Sequence, residues 1–473
     1  MRILKLTTLA LALSGAFPAG ADDPVANEKS TTPGAAAATT VASAAGTTPA
    51  PSTAASVQKV AEAAAMTPEQ EADLNRVKVK TEALEDSRDA SGLKGFKFSG
   101  YLDPAYVYNV NKERGTFQFI VPIEKEPYAY DNGYFATLAL DIQKEMDSGT
   151  KFHFTLYPKR GGGDVMGENS IVHEASVWIP LGGTDTRLFA GQIPDWSGYE
   201  YYAPNMYKNV THNLLFDFTL PSSYTGVGIE LVRGKLDLKL MLANMNASVR
   251  NIGEQVPMFV FRGDYGVGEF WGWGFAGAAG YKTNYAAAND GTLDYAIYDN
   301  KDSLYTTLEF DAWYARGDWT MNGHVTGGTQ KKASITPDPN SGKLRDSQWF
   351  GASVLAAYKF TVRTEFALRG DYIYNQKNGG GLLDYTVPDP VNGIGPDQSG
   401  GPGADANKGA NRFAVTATLN YALNSNVLLK GEYRFDGADQ AVFGNKDLLT
   451  GTGDNPKYTK NNSVIAGSVV VYF

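Results

Sequence analysis

Four histidines, His153, His173, His212 and His324, are the first residues to question for chemistry. A zinc hydrolase would pair two of them as HExxH, and none is so placed. A serine hydrolase of the elbow type would need GxSxG, which the chain lacks. With no cysteine, thiol catalysis, thiolate-bound zinc, disulfides and a lipid-modified N-terminal cysteine all drop out. The glycine-rich "DYGVGEFWGWGFAGAAGY" has no Gly-Lys-Ser/Thr after it, so it is no phosphate loop. Acidic residues in the longer connections follow no EF-hand spacing. The expectation is a protein with no enzymatic step, no cofactor and no metal. His153 and His324 fall on polar strand faces as lining, and a Ser–His lipid hydrolase is the residual alternative.

What recurs instead is charge at every second position between apolar residues. Arg262 and Asp264, Glu309 and Asp311, then Arg363, Glu365, Arg369 and Asp371 follow this rule, as do Lys430, Glu432 and Arg434. Charges this numerous are not buried dry, because each unpaired ion costs several kcal/mol or more. They require water on their side of the sheet. The chemistry they offer is the passage of ions and small hydrophilic solutes.

The elements that must carry these charges have a period of two from Gly95 onward. "KLDLKLMLAN" sets Leu236, Leu238, Leu240 and Leu242 against Asp237, Lys239 and Met241, and "RFAVTATLNYAL" alternates in the same way. Strands of ~10 residues, apolar on one side and polar on the other, are the signature of a membrane barrel, whereas sandwich strands run nearer 5–6. About sixteen such strands fit between 96 and 473. Their connections alternate between tight (145–150, 182–185, 234–235, 317–318, 424–426) and long (110–133, 159–169, 195–223, 246–256, 283–302, 329–346, 375–410, 437–461). A transmembrane barrel sorts its turns in this way, and a sandwich has no reason to. The predicted fold is therefore an all-β transmembrane barrel of about sixteen antiparallel strands, wide enough for an aqueous lumen. Leu214, Phe216, Phe218 and Leu220 also alternate, which permits an extra strand. The Gly- and Pro-rich long connections, 375–410 above all, read as mobile, hydrated surface loops. The chain ends on "SVIAGSVVVYF", whose Ile465, Val469 and Val471 supply an outward apolar face, with Phe473 in the aromatic belt at the rim.

The N-terminal part differs. Residues 1–21 combine Arg2 and Lys5, an apolar stretch and Ala19-Gly20-Ala21, the pattern of a signal peptide. Residues 22–65 are rich in Ala, Thr and Pro and lack the apolar surface to fold, so they read as a disordered tether. In 66–94, Thr67 and Gln70 form a capping box before a short helix with Leu74, Val77, Thr81 and Leu84 at heptad spacing, a solvated helix or a coiled-coil seam. The barrel occupies 95–473. No run of ~20 apolar residues provides a membrane helix. A formal net charge of −9 argues against a nucleic-acid partner.

"GFKFSGYLDPAYVYN", "GQIPDWSGYE" and "SSYTGVGIEL" resemble the β-barrel porins of the OmpL-like family, and Gly95–Phe473 as a whole looks like a porin. The resemblance implies a channel in the outer membrane of a Gram-negative bacterium, surrounded by outer-membrane lipid, with the tether in the periplasm. It implies a homotrimer, and a terminal Ile465, Val469, Val471, Phe473 signal read by the barrel-assembly machinery. It also implies that the third long loop, Ile193–Tyr224, folds into the pore. Asp195 and Glu200 on that loop would then face a basic wall of Arg363, Arg369, Lys430 and Arg434, with Arg262, Glu309 and Asp311 also lining the pore. Such opposed charges set up a transverse field that sorts solutes. Tyr199, Tyr201, Tyr202 and Tyr207 either offer stacking faces to sugars or pack on the wall. The expected function is passive diffusion of small hydrophilic solutes and ions. The alternatives are a sugar- or anion-selective channel, or a non-conducting binding or lipid-hydrolase barrel.

Overall fold

A computed structural model describes residues 68–119, 136–157, 171–183, 185–245, 256–284, 302–400, 405, 407–451 and 457–473. From Phe96 the chain forms sixteen antiparallel strands that close into one barrel. β1 is Phe96–Leu102 continued by Ala105–Asn109, and β2 is Arg114–Gln118 continued by Leu138–Glu145. Then come β3 (Lys151–Leu156), β4 (Val172–Pro180), β5 (Thr186–Pro194), β6 (Ser223–Arg233) and β7 (Leu236–Met245). They are followed by β8 (Met258–Gly266), β9 (Trp271–Thr283), β10 (Asp302–Arg316), β11 (Trp319–Gln330) and β12 (Ser347–Lys359). β13 (Thr364–Tyr374), β14 (Arg412–Asn424), β15 (Val427–Ala438) and β16 (Asn461–Tyr472) complete the wall. β16 pairs with both pieces of β1, Tyr101 opposite Tyr472 and Ala105 opposite Ser468, so the sheet has no free edge.

The break in β1 falls at Asp103-Pro104, where proline brings no N–H to the ladder. The Asp103 carboxylate accepts from Ala136 N (2.9 Å), just before β2 resumes. The expected long connection 110–133 is thus resolved differently. The chain turns tightly over 110–113 and forms the first piece of β2, whose second piece starts at Leu138; residues 120–135 are outside the described set.

Alternation fixes which side faces what. On β10, Leu308 is 61% exposed while its neighbours Glu309 and Thr307 are buried, and on β12 Val354 stands out at 62% between buried Ser353 and Leu355. Phe98, Phe117, Phe259, Phe350, Phe413 and Ile465 continue this apolar exterior on other strands. An apolar belt of this extent suits a hydrocarbon surround, since soluble monomers seldom expose patches beyond a few hundred Å². Of the terminal residues, Ile465 and Val469 are exposed outward while Val464 and Val470 are fully buried inward. Phe473 pairs through its backbone with Gly100.

The segment whose alternation permits an extra strand is a helix. α2, Leu214–Thr219, starts at Asn213, whose side chain accepts from Phe216 N (2.8 Å). Leu214, Leu215 and Phe218 are all buried, the spacing of a helix face and not of a strand, so the barrel stays at sixteen. The separate N-terminal unit contains α1, Pro68–Ala90, with Leu74 and Val77 exposed. The signal peptide, the tether and Thr67 lie outside the described residues. No described helix is long and apolar enough to cross a membrane.

Candidate functional site

The connection between β5 and β6 is built to cross the lumen. Its neck is closed by Asp195 N donating to Ser222 O (3.0 Å). The Asp195 carboxylate accepts from Ser197 N (3.1 Å) and Ser197 Oγ (2.8 Å). Burial, reinforced by the nearby charge of Glu309, pushes this loop carboxyl up to about 7. Gly198 follows at φ +70°, where any Cβ would lie 2.9 Å from the His324 ring, so only glycine lets the chain press so close to β11. His324 Nε2 meets Glu309 Oε2 at 2.7 Å on the wall behind it.

The loop then lands on β12–β15. Tyr199 Oη and Ser353 Oγ share a hydrogen bond of 2.6 Å, and Lys208 pairs with Glu365 at 3.1 Å. Asn209 donates to Thr418 Oγ1 (2.7 Å). Glu432 accepts from Val210 N (2.5 Å), Thr211 N (3.2 Å) and Thr211 Oγ1 (2.6 Å). Lys430 Nζ donates to the carbonyls of Pro204 (2.6 Å), Tyr207 (2.8 Å) and Asn209 (2.7 Å), which uses its whole donor capacity. Arg369 donates to Glu200 Oε1 (2.9 Å), Thr211 O (2.8 Å) and His212 O (2.8 Å), and through Nε to Asp371 (3.1 Å). Arg434 adds a bond to His212 O (2.8 Å) and is held by Asp436. Beyond this clamp, α2 lies against β11–β13.

The arrangement changes the roles expected of these residues. Glu200 does not oppose the basic wall across water: it touches Arg369, and both side chains are buried. Arg369, Lys430 and Arg434 are buried clamps on the loop, because peptide carbonyls and acids satisfy them there. Arg363 is in the exposed turn between β12 and β13, off the inward face. Asp195 stays at the neck beside Glu309. Arg262 bridges Asp264 (2.6 Å to Oδ1) and Asp311 on the β8–β10 wall, so Glu309 and Asp311 are inward, as alternation predicts. Tyr199 is bonded to the wall, Tyr202 sits edge-on to His173 (4.3 Å between centroids), and Tyr207 lies under Lys430. Of the four tyrosines Tyr201 alone is well exposed, at 41%.

A second segment folds inward. Leu382, Leu383 and Ile394, in the 375–411 connection, are buried with Leu214, Leu215 and Phe218 of α2 and with inward side chains such as Trp349 and Ile373. Tyr385 meets Phe218 edge to face at 5.2 Å. These residues are core, contrary to the reading of this loop as hydrated surface. Its glycines misled that reading: Gly379, Gly380 and Gly381 all have positive φ in a tight, packed turn. The "GLL" inside it was the available signal.

A family model described as "Protein of unknown function (DUF3138)" matches residues 19–473. The OmpL-like resemblance is not confirmed by that match. No curated protein matches the chain. Among solved structures the chain is similar to OmpT, an outer membrane protein of Vibrio cholerae, at 12% identity and TM-score 0.46, covering 80% of this chain and 97% of that one. It is similar to an anion-selective porin from Comamonas acidovorans at 9% identity and TM-score 0.46, covering 80% and 99%. Salmonella typhi OmpF, in a complex with daunomycin, matches at 13% identity and TM-score 0.46, covering 80% and 97%.

Proposed function

The chain belongs to the DUF3138 family of proteins of unknown function, and we propose that it is an outer-membrane channel for passive diffusion of small hydrophilic solutes and ions. The observation that carries this reading is a closed sixteen-strand barrel with an apolar exterior, an ion-bearing interior and one loop clamped across the lumen. No bond is made or broken. The loop covers the β12–β15 side, while inward charges on β2, β3 and β8 keep contact with solvent: Asp141, Lys151, His153 and Asp264. These charges therefore mark the aqueous path on the β2–β8 side, beside the apolar cluster that holds inward Met241, Met245, Met258 and Val260. A loop held by buried, charge-assisted bonds fixes the width of that path.

Two histidines weigh against catalysis. His153 lies between Asp141 (2.5 Å) and Glu174 (2.9 Å), and His324 sits on Glu309, as lining residues held by cross-strand partners. The protein resides in the outer membrane of a Gram-negative bacterium with its N-terminal segment in the periplasm, assembles as a homotrimer, and is delivered through its terminal strand by the barrel-assembly machinery. The apolar cluster of α2 and 375–411 favours one other reading, a plugged barrel that binds a partner without conducting.

The test is single-channel recording of the purified, refolded full chain in a planar lipid bilayer. Stable steps that scale with bulk conductivity support diffusion, and steps grouped in threes support the trimer. A folded but silent barrel overturns the channel reading in favour of the plugged one.

A further inference from the structure

We propose that this channel passes cations in preference to anions, with Asp264 and Asp141 as the specificity-determining residues. The inference rests on the diffusion reading above. It follows from which charges the loop removes from water and which it leaves.

The cations of β13 and β15 lie under the loop. Arg369 and Arg434 have no exposed surface and Lys430 is 4% exposed. Each is also matched where it lies: Arg369 by Glu200 and Asp371, Arg434 by Asp436, and Lys430 by three peptide carbonyls beside Glu432. A passing ion meets the outer surface of the loop, not these cations.

On the uncovered arc, bases are shared between acids. Arg262 is held by both Asp264 and Asp311, so that group carries one surplus negative charge. His153 is held by both Asp141 and Glu174, and the surplus there is one negative charge even with the imidazole counted as a cation. Lys239 and Arg187 together match Glu230 and Asp237, and Lys151 matches Glu145, so those groups are neutral. The depth of the partners sharpens the first surplus. The Asp264 side chain is 33% exposed and its Arg262 partner only 8%, so solvent meets the carboxylate and not the guanidinium. Asp141 is 21% exposed, with Glu174 behind it at 6%. Low-dielectric walls focus the field of such charges into the path, and a Debye length of about 10 Å at 0.1 M salt leaves them only partly screened.

The experiment is the reversal potential of the full-length channel in a bilayer across a tenfold KCl gradient, for the natural chain and for Asp141→Asn, Asp264→Asn and the double variant. The natural channel is expected to reverse on the cation side. Each near-isosteric variant should lower the potassium-to-chloride permeability ratio roughly twofold or more, with the double variant lowest. Raising both salt concentrations tenfold should shrink the preference in the unchanged chain, which tests the electrostatic origin without any substitution. A conducting channel that reverses at zero or on the anion side overturns this inference and leaves the diffusion reading standing. So do unchanged ratios in a double variant that still conducts. A folded, silent barrel overturns both.

Discussion

Replacing Arg369 by Met should release the loop without opening the barrel. Met keeps much of the side-chain length but removes the cation that Glu200 and Asp371 share, together with the donors to the carbonyls of Thr211 and His212. Removing one partner of a buried ion pair costs about 3–5 kcal/mol, because the remaining charge stays buried and unmatched. Release of the loop lets Glu200 and the two carbonyls hydrate, so that cost falls on the docked state. At 1.4 kcal/mol per tenfold, the released population rises at least about a hundredfold. The chain has no cysteine, which provides a clean assay. Val210 is buried in the clamped stretch, so Val210→Cys reports release through its rate of modification by a thiol reagent. That rate, measured at one pH with Arg369 present or replaced, should rise by about that factor while the barrel stays folded. Equal rates in two folded proteins would refute the idea that Arg369 holds the loop.

Three further outcomes follow from the same geometry. The Asp195 carboxyl, raised to about 7 in the folded loop, binds a proton there that the unfolded chain has already lost above its ordinary value. Stability should therefore be highest in acid and fall as pH rises to 7 and past it. Melting from pH 5 to 8 should slope down in the natural chain and less so in Asp195→Asn, with Glu309 and His324 common to both; identical slopes would sink the assignment. Asn213→Ala removes the cap of α2, worth about 1 kcal/mol, and should speed the Val210→Cys reaction about fivefold. Deletion of Phe473, which pairs with Gly100 across the closing seam (3.1 and 3.2 Å), should lower the folded fraction in membranes more than it lowers refolding in detergent. Equal losses in both would show that it serves stability alone.

The wall was legible because a strand's two faces are written in neighbouring residues. Leu308 and Glu309, or Val354 and Ser353, declare outside and inside locally, and the register of sixteen strands follows from repeated statements of that kind. The clamp was not. Lys430 and Glu432 announce only that they point inward; their partners lie 221–226 residues away, in a segment with no period. Leu214–Leu220 shows how short-range pattern fails there. Its apolar residues fit a period of two, but Asn213 caps a helix whose Leu214, Leu215 and Phe218 are buried together. Arg363 was misplaced for a different reason, since a turn of a few residues shifts a side chain off a face that periodicity alone would assign to it.

This difference bears on how such a lumen can be selective. A basic side chain that holds a loop by its carbonyls is lost to the pore, because the geometry that satisfies three donors of Lys430 also covers them. Counting inward charges therefore misstates the charge a solute meets, because the clamp withdraws Arg369, Lys430 and Arg434 together with Glu365, Asp371, Glu432 and Asp436. Acids serve the loop as well, Glu432 through amide N–H groups and Glu365 through Lys208. The uncovered arc keeps Asp141 and Asp264. The sign of the lumen is then set by how the loop is anchored as much as by composition. Releasing the loop through Arg369→Met should thus raise conductance and keep the reversal potential on the cation side, since Lys430 and Arg434 meet water together with Asp371, Glu432 and Asp436. A rise in conductance with a reversal potential on the anion side would refute this account of the covered wall.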